Sequence, residues 1–378
     1  MENNKTIPDW SYILDSNNLI SQCFSKELHN ETSFISTLEY FFDYNNSLNI
    51  PKKEINGKSF YRLGIKYSTE DLKNINLKDY VCYNEKLNRE LPTIQYRDIQ
   101  RIVTPEEQLQ KILTNELYVN NHTKNDLIHY LKVLKKYFSI GLINEIGVEG
   151  SLAFEVSTSA SDIDLLINGK DNFWNLYKEW DNIVDSDKRL IKLNQSANAQ
   201  KQMFNNRKMY IPYSKEDIIF HEGRKMFSYI MNDKTIRKIN IVAKLSENEK
   251  AYNERFKKYF ENYSFIPLEV CTIEGVVEND NYGYYIPSIY DIKVNYIKSN
   301  NNIDLKQIKY IIDYIGNYYM HVFNGEKFRC RGMIEQICKN GIVLDSYRVS
   351  LNPWDNVYGE KMFLKTIERG EKSHERVR

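Results

Sequence analysis

The segment Ser161–Ile167 constrains the fold most, because it places two carboxylates within an otherwise apolar run. Asp162 and Asp164 lie two residues apart, so on a β-strand both side chains project from one face, roughly 6.5–7 Å from each other. Two carboxylates on one face repel each other, and ionised groups in apolar surroundings need partners. The segment therefore predicts a core strand whose acidic face borders a cation.

The residues on either side of this segment predict the order strand, turn, short helix, strand and helix. The elements are a strand at Ile143–Val148, a break at Glu149–Ser151, a helix-compatible stretch at Leu152–Val156, a small-residue loop at Ser157–Ser161 and a strand at Asp162–Ile167. Asp171 is predicted to cap the following helix, which carries Trp174, Leu176, Tyr177 and Trp180. Glu149 and Glu155 are predicted to be structural or exposed.

Gly150 and Ser151 complement the acidic pair. Glycine lets the backbone approach a phosphate closely, and Ser151 offers a hydroxyl and begins a short helix whose first amides favour an anion. Mg²⁺ prefers carboxylate ligands together with phosphate oxygens. Two such ions can clamp a triphosphate and an attacking hydroxyl for in-line displacement. These residues therefore predict a pocket with phosphate at one end and its metal at the other.

Ser151 is followed by ten residues and then by Asp162-Ile163-Asp164. In this spacing, over residues 143–168, the chain resembles the DNA polymerase β-like nucleotidyltransferase superfamily. The resemblance implies an Mg²⁺- or Mn²⁺-dependent enzyme that moves a nucleoside monophosphate from an NTP such as ATP to an acceptor and releases pyrophosphate. It further implies that Gly150 and Ser151 bind the triphosphate and that Asp162 and Asp164 are the catalytic metal ligands. The acceptor stays open between a small molecule, a nucleic acid and a protein.

Members of that superfamily usually carry a third carboxylate on a later strand, where it activates the acceptor hydroxyl. The matching position here, within Arg237–Ile241, holds Asn240 and no acid. Asparagine ligates metals weakly and cannot act as a general base. Three other acids are candidates for the missing group: Glu222, Glu269 and Glu274.

The departure at Asn240 keeps a second hypothesis open. In this hypothesis the chain is a catalytically impaired protein that binds a nucleotide or a nucleic acid without turnover. The same segment also contains Arg237 and Lys238, two adjacent cations. If the segment is a strand, one of them faces the site and the other faces away.

A second polar cluster, Phe220–Lys225, carries a looser resemblance to uncharacterised nucleotidyltransferase-domain proteins of archaea and anaerobic bacteria. The turn at Val148–Ser151 and the β-rich final third of the chain support this resemblance. It implies that Arg224 and Lys225 neutralise the triphosphate, and that His221 carries a proton or contacts the base. The alternative for this cluster is a solvated helix end.

The chain as a whole predicts an α+β fold in four regions. These are an N-terminal α+β region at 1–123, a nucleotidyltransferase core of a short mixed sheet with flanking helices at 124–260, a β-rich C-terminal domain at 261–355 and a charged tail at 356–378. The C-terminal domain is predicted to be a small barrel or sandwich, with an OB-like barrel as one form. Residues 1–57 are predicted to be polar and irregular.

Local signals predict several further elements. Thr104 as N-cap, Pro105 at the first helical position and the acids after them predict a helix to about Leu113. The other predicted elements are strand-like runs at Phe60–Tyr67 and Asp98–Val103, helices at Thr123–Phe138 and Glu247–Tyr259, a hairpin of Met226–Met231 with Thr235–Lys244, mostly helical structure over 186–220, and strands at Leu268–Val277, Tyr282–Ile286, Lys327–Ile337 and Ile342–Leu351.

Composition argues against several classes of protein. The formal net charge of +1, from 52 basic and 51 acidic residues, does not indicate a globally basic nucleic-acid coat. No apolar run approaches the roughly 18–20 residues of a membrane span. The five cysteines include no CxxC pair, which argues against a disulfide framework or a zinc site and favours a cytoplasmic location.

Aromatic and basic residues of the C-terminal domain have two interpretations. They could form a stacking platform for single-stranded nucleic acid, but aromatic residues in β-rich domains more often pack in the core. The group comprises Tyr282, Tyr284, Tyr285, Tyr290, Tyr318 and Tyr319 with Lys293, Lys306, Arg329 and Arg331.

Overall fold

The structure is a computed structural model that describes residues 7–23, 26–42, 53–55, 57–63, 68–137, 145–208, 211–232, 235–245, 249–314, 316–351 and 362–368. Within these residues it has an α+β architecture with three β-sheets and seven α-helices, so the predicted class is confirmed.

The strands are β1 (Tyr12–Asp15), β2 (Leu19–Cys23), β3 (Ser33–Phe41), β4 (Lys53–Ile55), β5 (Lys58–Arg62), β6 (Val81–Asn84), β7 (Arg89–Gln95), β8 (Ile99–Val103), β9 (Ile146–Val148), β10 (Ile163–Asn168), β11 (Leu190–Lys192), β12 (Phe227–Asn232), β13 (Thr235–Lys244), β14 (Tyr263–Tyr282), β15 (Ser288–Lys298), β16 (Ile308–Asp313), β17 (Lys327–Lys339), β18 (Ile342–Leu351) and β19 (Phe363–Thr366). The helices are α1 (Thr69–Asn74), α2 (Pro105–Leu113), α3 (Asn121–Leu134), α4 (Lys170–Asp185), α5 (Ala197–Arg207), α6 (Lys215–Glu222) and α7 (Lys250–Tyr259).

The first sheet joins the eight strands of the N-terminal part of the chain. Its order is β4-β5-β3-β2-β1-β8, and β7 pairs with both β3 and β6. β3 is shared, since its first residues pair with β7 and its last residues with β5. The irregular structure predicted for residues 1–57 is therefore wrong for the part that the structure describes. Buried serines, among them Ser11, Ser21 and Ser36, interrupt the apolar pattern that would have marked these strands.

The second sheet has the order β11-β12-β13-β10-β9 and carries the acidic segment near its centre. β10 and β13 run parallel, while the other pairs are antiparallel. The predicted hairpin of β12 and β13 is confirmed. The sequence predicted a strand that starts at Asp162. In the structure β10 begins at Ile163, so Asp162 immediately precedes the strand. The predicted beginning of β9 at Ile143 lies outside the described residues.

The helices around this sheet begin at local signals. The Thr104 hydroxyl accepts a hydrogen bond from the Glu107 amide and caps α2, as predicted. α4 begins after Gly169, whose φ of +97° favours glycine. Asp171 therefore lies in the first turn of α4, and the prediction that it caps the helix is wrong. The helical structure predicted for residues 186–220 holds for α5 and α6, but β11 interrupts it.

The third sheet closes on itself. Its order is β14-β15-β16-β18-β17, and the long strand β14 also pairs with β17 to complete a ring, with β19 added outside β17. β16 and β18 are parallel, and the other neighbours are antiparallel. The strand predicted at Tyr282–Ile286 is wrong, because β14 ends at Tyr282 and β15 begins at Ser288. β19 lies within the segment predicted to be a charged tail.

The core beneath the second sheet holds the acidic segment in place. Leu165 and Ile167 of β10 pack in one cluster with Leu127 of α3 and Phe173 of α4. Along β10 the first side chain that is not fully buried is Asp164, so this end of the strand reaches an open surface. In the part of the chain that the structure describes, no helix is long and apolar enough to cross a membrane.

Gly147 in β9 allows α2 to pack directly on the strand beside the acidic segment. A Cβ atom at this position would lie 2.7 Å from the Pro105 carbonyl carbon and 2.8 Å from the Glu106 amide nitrogen, both backbone atoms that cannot move aside easily. We expect Gly147→Ala to lower the free energy of unfolding by about 1–3 kcal/mol, the usual cost of overpacking. Urea denaturation measures this change, and an unaltered midpoint would contradict the packing described.

Candidate functional site

The turn at Glu149–Ser151 brings the glycine–serine pair against the acidic segment. Gly150 has a φ of +63°, and a Cβ atom there would lie 3.5 Å from Asp164 Oδ2. The Glu149 amide donates a hydrogen bond of 2.9 Å to the Asp164 carbonyl oxygen, which fixes the turn on β10. The helix expected after Ser151 is a single 3₁₀ turn, Gly150–Leu152. Gly150 and Asp164 are therefore neighbours in space as well as members of one motif.

The Asp162 and Asp164 carboxylates share a nearby cation. Lys238 Nζ lies 3.2 Å from Asp162 Oδ2, and its side chain is 16% exposed. Burial raises the pKa of Asp164, the positive charge of Lys238 opposes this rise, and the charge of Asp162 adds to it. Of the two adjacent cations on β13, Lys238 is thus the one that faces the acidic pair.

Arg237, the other cation of this pair, holds the loop that leads to Asp162. Its Nε donates a hydrogen bond of 2.9 Å to Asp126 Oδ2, and both side chains are almost fully buried. Its terminal nitrogens donate to the carbonyl oxygens of Ser159 and Ser161. Because the guanidinium binds two carbonyls of the loop at once, it determines the path by which the chain enters the acidic segment.

Asn240 lies directly opposite Asp164 on the parallel strand β13. Its Nδ2 donates to Asp164 Oδ1 at 3.4 Å, and its Oδ1 accepts from the Tyr319 hydroxyl at 3.2 Å. Burial holds the pKa of Tyr319 well above its ordinary value, so this hydroxyl stays a donor. The position expected to carry a third acid therefore faces Asp164, but it presents an amide that is held in place by the C-terminal part of the chain.

The charge of Asp164 acts on two further acids to which the sequence assigned no role at the site. Burial raises the pKa of Glu149 to about 8, and the charge of Asp164 contributes to the rise. Burial also raises the pKa of Glu39, on β3, to about 7; Arg62 opposes that rise and Asp164 adds to it. Glu149 was recognisable only as the neighbour of Gly150, and no sequence signal connects Glu39 with the site.

A cavity of about 400 Å³ opens at the acidic segment. Three parts of the chain line it: the core through Gly150, Ser151, Thr158, Ser161, Asp162 and Asp164; the first sheet through Tyr40, Lys53, Phe60 and Arg62; and α5 through Gln202 and Asn206. The first sheet is also bonded to the core, because the Gly150 amide donates to the Tyr12 hydroxyl at 2.9 Å. The cavity is therefore lined by the N-terminal sheet together with the Gly150–Ser151 turn and the acidic segment.

The cluster Phe220–Lys225 does not line this cavity. Arg224 is buried between the rings of Phe220 and Phe323, and both its terminal nitrogens donate to the Glu326 carboxylate. Lys225 Nζ lies 2.8 Å from Glu222 Oε1, with both side chains buried. His221 stacks on His321 at a ring distance of 4.8 Å. These three predicted binding residues thus have partners inside the protein, close to the third sheet.

The three acids considered as replacements for the third carboxylate are likewise absent from the cavity wall. Burial would raise the pKa of Glu222, but Arg207 and Lys225 hold it well below its ordinary value. Glu269 accepts hydrogen bonds from the loop around Ser299–Asn301. Glu274 pairs with Arg329 at 2.6 Å. The structure brings none of them to Asp164, whereas Glu149 is bonded to it through the backbone and Glu39 feels its charge.

The tyrosines considered as a stacking platform lie mainly in the core. Five of the six are at least 92% buried, namely Tyr284, Tyr285, Tyr290, Tyr318 and Tyr319. The Tyr290 hydroxyl donates to the carbonyl oxygens of Gly283 and Tyr318. This burial supports the core interpretation, because a stacking platform needs exposed rings.

The donor set at the acidic segment suits a cation that completes its shell with substrate oxygens. Among the described residues, no group of three or more His, Cys, Asp and Glu side chains is arranged to hold a metal ion. Asp162 and Asp164 nevertheless line one cavity. Mg²⁺ is commonly bound by one or two carboxylates together with phosphates and water, so the two aspartates fit such an ion if a phosphate accompanies it.

Comparison with known proteins shows one relative of similar length. The chain is 26% identical over 325 residues to the uncharacterized protein MJ1086 of Methanocaldococcus jannaschii, a match that covers 80% of this chain and 84% of that protein. The name of that relative states no activity or ligand. No family model matches the chain, and no solved structure matches it.

The raised pKa of Glu149 makes stability depend on pH. The unfolded chain releases this proton near pH 4.5 and the folded chain near pH 8, so the folded state holds the extra proton between these values. The free energy of unfolding is then highest below this window and falls as pH rises through it, by up to about 1.4 kcal/mol per pH unit for one such group. We expect Glu149→Gln to make the fall between pH 5 and pH 8 shallower.

Urea denaturation in EDTA at several pH values measures this dependence without a competing metal ion. Glu85→Gln, at an exposed turn between β6 and β7, is the matched control and should leave the slope unchanged. Equal slopes for wild type and Glu149→Gln would show that the buried carboxyl does not carry the proton.

Proposed function

We propose that this protein is an Mg²⁺-dependent nucleotidyltransferase that moves a nucleoside monophosphate from an NTP to an acceptor. The observation that carries the proposal is that Gly150 and Ser151 line one cavity with Asp162 and Asp164. The mixed sheet gives further support, because Asp164 and Asn240 occupy facing positions on parallel neighbours. The turn also brings Gly150 so close to the second carboxylate that a Cβ atom at this position would lie 3.5 Å from Asp164 Oδ2.

In this proposal each wall of the cavity has a separate task. Gly150 and Ser151 receive the triphosphate, because the missing Cβ leaves room for a phosphate beside Asp164. Asp162 and Asp164 hold the metal, which when bound neutralises charge that develops on the phosphates. Lys238 maintains charge balance at Asp162 while the site is empty of substrate. Arg237 keeps the loop before Asp162 in the conformation that presents both carboxylates.

The transfer itself exchanges one phosphorus–oxygen bond for another. The acceptor oxygen bonds to the α-phosphorus, and the bond between that phosphorus and the α,β-bridging oxygen breaks. Pyrophosphate leaves with the electron pair, and the acceptor proton passes to water or to a carboxylate of the cavity. Asn240 has no oxygen basic enough to take this proton, and among the described residues the carboxylates that line the cavity are those of Asp162 and Asp164.

We also propose that the ring of β14–β18 is an OB-like barrel that takes part in binding the acceptor. Around the ring the strands lie in the order β14-β15-β16-β18-β17, that is, first, second, third, fifth and fourth along the chain. The third and fifth strands, β16 and β18, are parallel, and the other described neighbours in the ring are antiparallel. That order is the one expected of an OB-like barrel, a fold that binds oligonucleotides and oligosaccharides on one face. The contact from Tyr319 to Asn240 connects this ring to the acidic segment.

A second candidate function rests on the amide at Asn240. Because Asn240 donates to Asp164 and cannot accept a proton in the manner of a carboxylate, the site is also compatible with nucleotide binding without turnover. Nucleotide binding in the complete absence of pyrophosphate release would favour this candidate. Asn240→Asp would then be expected to introduce release, since it restores an acid at that position.

The enzymatic proposal predicts that both aspartates are indispensable. We expect Asp162→Asn and Asp164→Asn to lower pyrophosphate release from NTPs by several orders of magnitude, because positioning the metal supplies most of the catalysis in this chemistry. The assay offers each of the four NTPs with Mg²⁺ or Mn²⁺, in buffer and in a cell extract that supplies acceptors. Asp181→Asn, whose side chain is 74% exposed on α4, is the control and should retain full activity. Full activity in both aspartate variants would refute the proposal.

A further inference from the structure

A triphosphate needs cationic partners besides its metal, and the cations expected from the sequence are engaged elsewhere. Arg224 is bound to Glu326, and Lys225 is bound to Glu222. Lys238 lies at Asp162, where it balances a carboxylate. Among the described residues, the core side of the cavity therefore presents acids and neutral groups, and Lys238 beside it is already paired.

The N-terminal sheet supplies the missing charge. Arg62 on β5 and Lys53 on β4 both line the cavity and are exposed. The register accounts for their position: Lys53 lies opposite Phe60, and Arg62 lies opposite Tyr40. Phe60 and Arg62 are two residues apart on one strand and face the same way. Four side chains of one sheet face are thus turned towards the acidic segment.

Neither cation is held by a neighbour within the described part of the chain. No ion pair or hydrogen bond joins the Arg62 or Lys53 side chain to another described residue, in contrast to Arg224, Lys225, Arg237 and Lys238. Arg62 is nevertheless close to the site, because it lines the same cavity as Asp162 and Asp164. An unengaged guanidinium beside a carboxylate pair has the geometry to bind a phosphate that also contacts the carboxylate-bound metal.

We propose that Arg62 and Lys53 bind the phosphates of the NTP donor, so that the N-terminal sheet completes the triphosphate site. This inference rests on the proposed function, since it names the residues that would hold the donor of that reaction. The planar guanidinium of Arg62 takes two phosphate oxygens, and Lys53 adds a single charge further along the chain of phosphates. The N-terminal sheet then acts as a binding wall as well as a support for the core.

The test measures binding of inorganic tripolyphosphate with Mg²⁺ to the full chain by isothermal titration calorimetry. We expect Arg62→Gln to weaken binding by about 10-fold or more, the usual effect of losing a charge-assisted hydrogen bond, and Lys53→Gln to weaken it less. Lys132→Gln, an exposed lysine of α3, is the matched control and should bind as wild type does. Melting temperatures of all variants confirm that each is folded.

A competition experiment between tripolyphosphate and ATP decides whether the phosphate site belongs to the NTP donor or to the acceptor. Tripolyphosphate and ATP should exclude each other in wild type, since both occupy the donor site. Simultaneous binding of tripolyphosphate and ATP would overturn the assignment of this site to the donor, and would indicate that the site binds a phosphate of the acceptor. Unchanged tripolyphosphate binding by Arg62→Gln, or no binding by wild type, would overturn the inference altogether.

These outcomes are separable from the fate of the proposed function. If wild type releases pyrophosphate and Arg62→Gln leaves the KM for the NTP unchanged, the inference fails while the nucleotidyltransferase stands. If no pyrophosphate is released but tripolyphosphate binding depends on Arg62, the anion site stands and the enzymatic proposal fails.

Discussion

The partly buried carboxylate of Asp164, in the wall of the cavity, is the constraint on which the rest of the site depends. It lies where the first strand of the motif, its glycine turn and the parallel pair β10–β13 meet. Burial raises its pKa, and Lys238 opposes that rise from the neighbouring strand. An ionised group in such surroundings is tolerated only if the surroundings are organised around it. The glycine at position 150 and the amide of Asn240 both serve this purpose.

The amide at Asn240 changes how charge is distributed around Asp164. A third carboxylate there would face Asp164 directly and add to the repulsion between the acids. Asn240 instead donates a hydrogen bond and is itself held by Tyr319 of the C-terminal part. Acidic groups approach from other directions, through Glu149 and through Glu39 of the N-terminal sheet. Since both have a raised pKa, the negative charge around Asp164 grows as pH rises through neutrality.

The sequence predicted the part of the site that local geometry determines. Gly150, Ser151, Asp162 and Asp164 belong to a short strand–turn–strand unit, so their spacing alone indicated that they would meet. Asn240 was expected opposite the acidic pair only through the superfamily resemblance, because the hairpin places β13 beside β12 and does not itself determine the pairing of β13 with β10. By contrast, Arg224 and its partner Glu326 are 102 residues apart, and no local pattern marks such a pair.

The contribution of the N-terminal sheet could not be predicted for a related reason. Buried serines obscured its strands, and its connection to the core depends on contacts distant in sequence, such as that of Tyr12 with Gly150, 138 residues away. Arg62 and Glu39 therefore gave no signal of a role at the acidic segment. Site residues that lie on a different sheet from the motif can be recognised only once the positions of both sheets are known. The motif residues can be recognised from the sequence alone.

The most direct test of the central claim is a crystal structure of the protein with Mn²⁺ and a non-hydrolysable NTP analogue, with data collected at the manganese absorption edge. The result expected is an anomalous peak between the Asp162 and Asp164 carboxylates, with the phosphates of the analogue lying between that peak and Gly150. A nucleotide bound in this cavity without manganese at the aspartates would contradict metal-dependent transfer. A nucleotide bound elsewhere on the molecule, with the cavity vacant, would contradict the assignment of the site itself.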